Sequence, residues 1–358
     1  MTQRLAFIVP GDPGQRTGGY LYDAHIVVEL RRLGWTVDVH GLPGRFPEAD
    51  TSARDALERT LAALPDGRQV VVDGLALGGL PEVTVRHSHR LGLVALVHHP
   101  LGDERGLSVA RRHCLLASER AALAAADRVI TTSRFTARRI ADFGVQPARV
   151  RTVEPGVTQL PLAMADGEPP RLLCVGTLSP RKGQDLLVRA LHRVRGLPWQ
   201  CDFIGSHTRE PDFAHGLAAL VTETGLDGRI RLHGECDDAQ LRAAYAGADL
   251  FLLPSHYEGY GMVVTEAISA GLPVLTTTGG ALTETLPAGA GLAVPPGDVD
   301  ALADALAALI SDRHCRHALR DGARRARASL RGWPLAGAEF AAALGDPEHS
   351  STSTPRRP

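Results

Sequence analysis

Two glutamates flank a glycine-bearing turn that has the composition of an anion-binding site. Glu258 precedes Gly259 and Gly261, and Glu266 follows eight residues after the first glutamate. The apolar run 250–254 comes before this turn and another apolar run follows it, which predicts a strand, a turn and a helix start. A helix start offers unpaired N–H groups to a phosphate, and carboxylates accept hydrogen bonds from sugar hydroxyls. The segment therefore predicts a site for a sugar joined to phosphate, with two solvated helix-start acids as the alternative.

A pair of adjacent cations follows another predicted strand. Arg181 and Lys182 come shortly after the apolar run 171–175, and Lys182 is the only lysine among 39 lysine and arginine residues. An ammonium group differs physically from a planar guanidinium, so a single retained lysine indicates a place where arginine would not serve. Two cations at a helix start would neutralise a diphosphate and the charge that grows on it as it leaves. A solvated loop is the alternative interpretation.

Composition excludes several classes of function. The chain has 358 residues and a formal net charge of -1, which gives no electrostatic reason to expect nucleic acid as a partner. Its five cysteines form no CxxC pair, so neither a disulfide framework nor a cysteine metal site is predicted. No apolar run is long enough for a signal peptide or a membrane span, and we expect a cytoplasmic monomer or homodimer. The arginine-rich stretch 316–331 is expected to be a solvated helix face, with peripheral contact to lipid headgroups as the alternative.

The elements that must position these residues alternate between strand and helix along the whole chain. This alternation predicts an α/β fold of two doubly wound, Rossmann-like domains facing a central cleft, joined by the Pro- and Gly-rich stretch 154–170. We expect an N-terminal acceptor domain at 1–160, a donor domain at 161–331, a helix at 332–345 that returns to the N-terminal domain, and a disordered tail at 346–358. The predicted strands are 5–9, 37–40, 69–73, 93–98, 128–132, 171–175, 200–204, 229–233, 250–254, 274–277 and 292–294.

The ordered segments resemble the retaining glycosyltransferases of family 4, also called group 1. The two glutamates fit the Glu-x7-Glu motif of that family, and the run from Glu266 to Val274 is similar to its Glu-Ala-x-x-x-Gly-x-Pro-Val sequence. The resemblance covers roughly residues 5–330 and implies the GT-B fold. Further segments that resemble the family in order and spacing are 17–19, 95–99, 131–133, 175–183, 278–284 and 294–298.

The resemblance implies a role for each matching residue. Glu258 would contact the donor hexose, Glu266 the ribose hydroxyls, and Arg181 and Lys182 the diphosphate. His98 would lie near the reactive carbon of the sugar. The remaining implied donor contacts are Gly18, Gly19, Gly176, Thr177, Gly259, Tyr260, Gly261, Met262 and Val263.

One position departs from the pattern of the family. Many relatives have an arginine directly after the glycine of the first donor-domain strand, whereas Thr177 follows Gly176 here. We expect Arg181 to supply the missing charge. The Asn-Gly pair that is common at the last strand of the N-terminal domain is Pro155-Gly156 here, which is a difference of backbone only.

The acceptor is expected to meet loops of the N-terminal domain. These loops are 12–22, 41–49, 73–79 and 100–107, and the candidate acceptor residues are Asp73, His99, Asp103 and Glu104. The sequence chooses neither a donor, which could be UDP- or GDP-linked, nor an acceptor. It predicts no cofactor beyond the nucleotide sugar as co-substrate.

The sequence also predicts chemistry without a metal ion. No pair of acids with DxD spacing lies directly at the end of a predicted strand, where it could hold Mg²⁺ on the diphosphate. His98 and His99 are adjacent at the end of a predicted strand, and adjacent residues of a strand point to opposite faces, so the two do not share one ion easily.

Glycosyl transfer with retention of configuration is the predicted reaction, and three rivals are kept. A sugar-nucleotide epimerase or a glycosyl phosphorylase has the same two-domain plan, and a non-catalytic nucleotide-sugar-binding protein would keep the same residues. A dinucleotide-dependent oxidoreductase requires GxGxxG after an early strand, which the glycines at 11, 14, 18 and 19 do not match.

Overall fold

The computed structural model describes residues 3–345, which form two parallel six-stranded sheets. In the first sheet, neighbouring residues of one strand enter different apolar clusters: Ala6 and Ile8 belong to one and Leu5 and Phe7 to another. Side chains alternate across a strand, so this division shows that both faces of the sheet are buried. The predicted architecture of two doubly wound α/β units is confirmed.

The first sheet has the strand order β2-β1-β3-β4-β5-β6. Its strands are Arg4–Pro10 (β1), Thr36–Leu42 (β2), Gln69–Asp73 (β3), Gly92–Val97 (β4), Arg128–Thr131 (β5) and Val150–Thr152 (β6). The helices that cover it are Gly18–Arg32 (α1), Thr51–Ala62 (α2), Gly74–Gly79 (α3), Pro81–His87 (α4), Val109–Ala125 (α5) and Arg134–Ala141 (α6).

The second sheet repeats this plan with the order β12-β11-β10-β7-β8-β9. Its strands are Arg171–Val175 (β7), Gln200–Ile204 (β8), Ile230–Leu232 (β9), Leu250–Leu253 (β10), Val274–Thr277 (β11) and Gly291–Val294 (β12). Its helices are Gln184–Arg193 (α7), Pro211–Glu223 (α8), Asp238–Ala246 (α9), Met262–Ser269 (α10), Leu282–Thr285 (α11), Val299–Ser311 (α12) and Arg313–Arg327 (α13).

Three elements of the first half were not predicted. Strand β6 has three residues and helices α3 and α4 have six and seven. Such short segments contain too few turns of a periodic pattern to be recognised from sequence. The Gly-rich composition of α3 predicts a loop rather than a helix.

The last described helix, Trp333–Leu344 (α14), lies on the first sheet rather than on the second. Phe340 packs against Phe7 of β1 with ring centroids 6.4 Å apart, and Trp333 stacks on His25 of α1 at 4.1 Å. The chain therefore crosses between the two sheets twice, once near residue 156 and once near residue 332. The two crossings touch, because a Cβ atom on Gly156 would lie 2.3 Å from the Trp333 nitrogen. The predicted tail at 346–358 lies outside the described residues.

Arginines of α13 hold the connection between the two sheets. Arg320 donates to the Ala165 carbonyl at 3.1 Å, Arg324 to the Ala163 carbonyl at 3.2 Å and Arg327 to the Leu160 carbonyl at 2.9 Å. Arg316 lies on the same helix, is buried, and donates to two carbonyls at the end of α12. The prediction of a solvated arginine face is wrong for Arg316, which is buried, whereas Arg320 and Arg327 are half-buried and Arg324 is exposed.

No helix within residues 3–345 has both the length and the apolarity required to cross a bilayer.

Candidate functional site

The turn between β10 and α10 presents a helix start without a side-chain cap. Gly261 is the N-cap residue of α10, with φ at 95°, a left-handed conformation that glycine adopts without strain. No side chain caps this end and no acidic residue lies in the first turn. The first amides of a helix have no partner within the helix, and those of Met262 and Val263 are at this end. An anion at the turn would satisfy them.

The cation pair lies on the neighbouring strand of the same sheet. Arg181 and Lys182 end a short 3-10 helix after β7, and Gly183 follows with φ at 67°. A Cβ atom on Gly183 would come within 2.5 Å of the Pro254 carbonyl oxygen, so the β7 turn packs directly on the β10 turn. The His256 N–H donates to the Arg181 carbonyl at 2.8 Å. These backbone contacts fix both cations beside Glu258.

Glu258 receives donors from three side chains. The Lys182 Nζ donates to Glu258 Oε1 at 2.6 Å, the Arg181 guanidinium donates to Oε2 at 3.3 Å, and the Ser255 hydroxyl donates to Oε1 at 2.6 Å. The glutamate is 6% exposed, and its backbone pairs with Gly280. Burial alone would raise the pKa of Glu258, but the charges of Lys182 and Arg181 outweigh it and lower that pKa to about 2.

Glu266 lies in α10, on the other side of the turn. Its Oε2 accepts a hydrogen bond of 2.8 Å from the hydroxyl of buried Tyr245. Burial raises the pKa of Glu266, against the Tyr245 hydrogen bond and the charge of Lys182, which lower it. Lys182 therefore acts on both glutamates, and the structure brings the Glu-x7-Glu pair and the cations into one site.

The other predicted donor-binding residues lie in both domains. In the first domain, Gly18 begins α1 after Thr17, whose side chain does not cap the helix, and Gly19 lies against the His98 ring. In the second domain, the carbonyls of Gly176 and Thr177 accept hydrogen bonds from Gln184 at 3.4 and 3.0 Å. The Tyr260 carbonyl accepts one from Thr285 at 2.5 Å, and burial raises the pKa of the Tyr260 phenol.

His98 closes the cleft from the first domain. A Cβ atom on Gly259 would lie 1.9 Å from the His98 carbonyl oxygen, so only a glycine lets the two domains meet here. The His98 Nε2 lies 3.1 Å from Asp23 Oδ1 and 3.4 Å from Asp73 Oδ2. Burial alone would lower the pKa of His98, but the two carboxylates raise it to about 10. The two carboxylates therefore favour the imidazolium form of His98.

The same three side chains have a spacing that a metal ion would also tolerate. One ligand-type atom each from Asp23, Asp73 and His98 lies within 4.8 Å of the others, the one such group among residues 3–345. The imidazole nitrogen already faces Asp23 at hydrogen-bond distance, which accounts for the group without an ion. Asp73 also accepts from the Leu75 N–H at 2.7 Å as the cap of α3.

The predicted acceptor residues Asp103 and Glu104 line an open cavity of about 470 Å³ between the domains. The Asp103 carboxylate is buried and accepts two hydrogen bonds from the Arg139 guanidinium, from Nε at 2.9 Å and from Nη2 at 3.0 Å. Glu104 lies 3.4 Å from His99 and 3.4 Å from Arg181, so it spans the cleft to the cation pair. Burial would raise the pKa of Glu104, but these two partners lower it.

Sequence reasoning missed several residues that contribute to these contacts, among them four that bond to charged or histidine side chains of the site. Ser255 and Tyr245 bond to the two glutamates, and Arg105 of the first domain contacts His256 of the second. The fourth is Asp23, an acid on the buried face of α1 at 4% exposure. A charge among the apolar positions of a helix was the available signal, because charged residues are rarely buried without a partner.

Comparison with known proteins agrees with this geometry. The sequence profile of "Glycosyl transferases group 1" matches residues 163–326, and that of "Glycosyltransferase Family 4" matches residues 22–158. The D-inositol 3-phosphate glycosyltransferase of Kineococcus radiotolerans is similar at 34% identity, covering 91% of this chain and 88% of that protein. D-inositol 3-phosphate glycosyltransferase 1 of Catenulispora acidiphila is 33% identical over 71% of this chain, but the match covers only 64% of that protein.

A solved structure gives the fold independently. The sucrose-phosphate synthase of Thermosynechococcus elongatus aligns with 95% of this chain and 98% of its own at a TM-score of 0.80, with 23% sequence identity. At that identity the likeness shows the architecture alone. Because one profile matches within each domain and the Kineococcus relative matches over 88% of its length, the chain belongs to the group 1, family 4 glycosyltransferases with the GT-B fold.

Proposed function

We propose that the protein is a retaining glycosyltransferase that moves a hexose from a UDP- or GDP-linked sugar to a hydroxyl group of an acceptor. The observation that carries this proposal is the contact of Arg181 and Lys182 with Glu258 beside the uncapped start of α10. The cations and the amides of the helix start would bind a diphosphate, and the carboxylate would accept hydrogen bonds from the hydroxyls of a hexose. The cations and the carboxylate are in direct contact, because Lys182 and Arg181 both donate to Glu258.

The donor would change the partners of the two cations. Arg181 pairs with Glu104 and Glu258, and Lys182 pairs with Glu258. A bound diphosphate replaces part of that negative charge, which releases Glu258 to accept hydrogen bonds from hexose hydroxyls. Glu266, bonded on one oxygen to Tyr245, offers its carboxylate to the ribose hydroxyls.

The reaction would proceed on one face of the sugar. The bond between the anomeric carbon and the diphosphate oxygen breaks, and its electron pair stays on the diphosphate. The acceptor oxygen forms the new bond from the same side, and its proton passes to a departing phosphate oxygen. Lys182, Arg181 and the α10 amides stabilise the charge that develops there. Contact between Gly259 and His98 closes the cleft around the reacting groups and excludes water.

The acceptor would enter through the cavity that Glu104 and Tyr257 line. Arg105 and Arg112 lie at the same cavity and favour an acceptor with a negative group. The two relatives described above are named as inositol 3-phosphate glycosyltransferases, so inositol phosphates are the first acceptors to test.

A thermal-shift screen with a panel of nucleotide sugars, followed by acceptor trials with the donor that binds, tests the proposal. We expect one UDP- or GDP-sugar to raise the melting temperature, and free nucleoside diphosphate to accumulate only with an acceptor present. NMR of the product should show that its new glycosidic bond has the same anomeric configuration as the sugar had in the donor. An inverted product would remove the retaining mechanism, and nucleotide release or epimerisation without acceptor would favour the rival activities.

A further inference from the structure

Helix α1 carries a buried acid, Asp23, that has no role in the reaction described above. Asp23 is 4% exposed, and its Oδ1 lies 3.1 Å from the Nε2 of His98. Its second oxygen, Oδ2, is buried and has no hydrogen-bond partner among the described residues. A buried carboxylate costs free energy unless it is paired. The pairing with His98 is therefore the interaction that must offset its burial.

Two carboxylates converge on the same ring nitrogen. Asp73, at the end of β3, places Oδ2 3.4 Å from the same Nε2 atom. Uncharged groups also pack near His98: the Tyr22 ring is edge-on with centroids 5.4 Å apart, a Cβ atom on Gly19 would lie 3.3 Å from Cδ2, and Gly259 of the second domain meets the His98 main chain. Both carboxylates that face the imidazole nitrogen thus come from the first domain.

We propose that Asp23 is a positioning residue for glycosyl transfer: with Asp73 it fixes His98 as a cation and fixes which nitrogen of its ring faces the ligand. This inference rests on the proposed function, because His98 acts there on the donor sugar. The carboxylates occupy Nε2, which leaves the Nδ1–H of the imidazolium as the donor. Within residues 3–345 the His98 ring bonds through Nε2 and not through Nδ1, and the side chain is 19% exposed.

This arrangement decides what His98 does in the reaction. An imidazolium has no lone pair, so it cannot take the proton of the acceptor. It donates a hydrogen bond to a sugar hydroxyl or to a phosphate oxygen and adds a fixed positive charge opposite the start of α10. The proton of the acceptor therefore goes to the departing diphosphate, as the same-face mechanism requires.

The charge state of His98 can be measured without turnover. In the full-length protein labelled in its histidines, the NMR signal lost in His98→Gln identifies His98. We expect that signal to keep the shift of an imidazolium up to at least pH 8.5. In Asp23→Asn it should titrate at least one pH unit lower, because one of the two stabilising charges is gone. A His98 signal that titrates near 6.5 in the wild type, or one that Asp23→Asn leaves unmoved, overturns the proposal.

A matched control and a second variant keep this test decisive. His87 is also buried and pairs with a carboxylate, Glu58, at 3.0 Å in the same domain. Glu58→Gln should leave the His98 titration and the transfer reaction unchanged. If Asp23→Asn does not fold, Asp73→Asn must lower the same titration. One bound metal ion per chain, removed by EDTA and abolished by Asp23→Asn, would overturn the proposal in favour of an ion site.

Kinetics then test the role in transfer. We expect Asp23→Asn to shift the alkaline limb of the kcat profile to lower pH and to reduce kcat about tenfold at pH 8.5, with KM for the active nucleotide sugar changed less than threefold. An unchanged pH profile in a folded variant would show a merely structural role. If no nucleotide sugar is turned over by the wild type, the proposed function fails, whereas the NMR titration still reports on Asp23 and His98.

Discussion

Lys182 and Glu258 form the contact on which the proposed chemistry depends at the scale of single residues. The Nζ and Oε1 atoms are 2.6 Å apart, and both side chains are largely buried. An ion pair of this kind has to overcome the desolvation of both groups. Its position beside the uncapped start of α10 is the arrangement that the proposed binding site requires.

Lys182→Ala should reduce turnover by about 100- to 1000-fold, because it removes a charge that stabilises the departing diphosphate. Lys182→Arg should recover little of this rate, since a planar guanidinium does not reproduce a compact ammonium. Initial rates with the active donor measure both effects. Arg193→Ala is the control, because Arg193 is on the surface of α7. Near-normal turnover in folded Lys182→Ala would remove this residue from the site.

Glu258 should make stability depend on pH in the acid range. Its pKa is lowered from 4.5 to about 2 in the folded protein. A depressed pKa contributes stability above the unfolded value, and that contribution is lost as the pH falls from about 4.5 towards 2. Urea unfolding between pH 2 and pH 6 should show a steeper acid loss in the wild type than in Glu258→Gln. Equal slopes in the two proteins would contradict the assigned ion pairs.

At the scale of elements, the turns after β7 and β10 pack on each other and on the end of β4. Gly183 meets the Pro254 carbonyl, and Gly259 meets the His98 carbonyl. Close backbone approach leaves no room for a Cβ atom at either glycine. The three strand ends therefore have one relative arrangement in the closed cleft.

Gly259→Ala should impair closure of the cleft while leaving each sheet intact. The added Cβ atom would lie 1.9 Å from the His98 carbonyl oxygen, so the domains must move apart. We expect a lower kcat, a raised donor KM and a larger radius of gyration with donor bound, measured by kinetics and solution scattering. Gly216→Ala is the control, because α8 has open space there and alanine favours a helix by about 0.5–1 kcal/mol. Wild-type kinetics in Gly259→Ala would contradict the closed arrangement.

The arginines of α13 give a second prediction at this scale. Arg327 donates to the Leu160 carbonyl at 2.9 Å and to the Ser269 carbonyl at 2.6 Å, which ties the connection to α10. Arg327→Ala should lower the free energy of unfolding by about 1–3 kcal/mol, as expected for lost bonds to a charged donor. Exposed Arg325 on the same helix is the control, and its alanine variant should differ from the wild type by less than about 0.5 kcal/mol. Equal losses of unfolding free energy in both variants would show that the two Arg327 hydrogen bonds do not contribute to stability.

At the scale of the whole molecule, the two domains meet through charged pairs as well as through glycines. Arg16 pairs with Asp238, and Arg138 pairs with Glu284, each across the cleft. Exposed ion pairs contribute little free energy, typically below about 1 kcal/mol. These exposed pairs therefore contribute little to holding the two domains together.

Sequence reasoning reached the fold and the motif residues because their signals are local. The strand-turn-helix pattern around Glu258 and the sole lysine are both visible in short windows. The role of Asp23 was not visible, because it depends on how α1 packs against the ends of β3 and β4. The hydrogen bonds from the arginines of α13 to the connection between the domains were missed for the same reason. The charge pattern fits a solvated helix, and only the tertiary structure supplies the carbonyl partners.

The central claim is that the cation pair and the start of α10 gather a nucleotide diphosphate. Calorimetric titration of the wild type, Arg181→Ala and Lys182→Ala with UDP, GDP and their sugars tests it most directly. We predict that one nucleotide binds the wild type with a dissociation constant in the micromolar range and binds each variant at least tenfold more weakly. Absence of binding by every nucleotide, or equal affinity in all three proteins, would contradict the account.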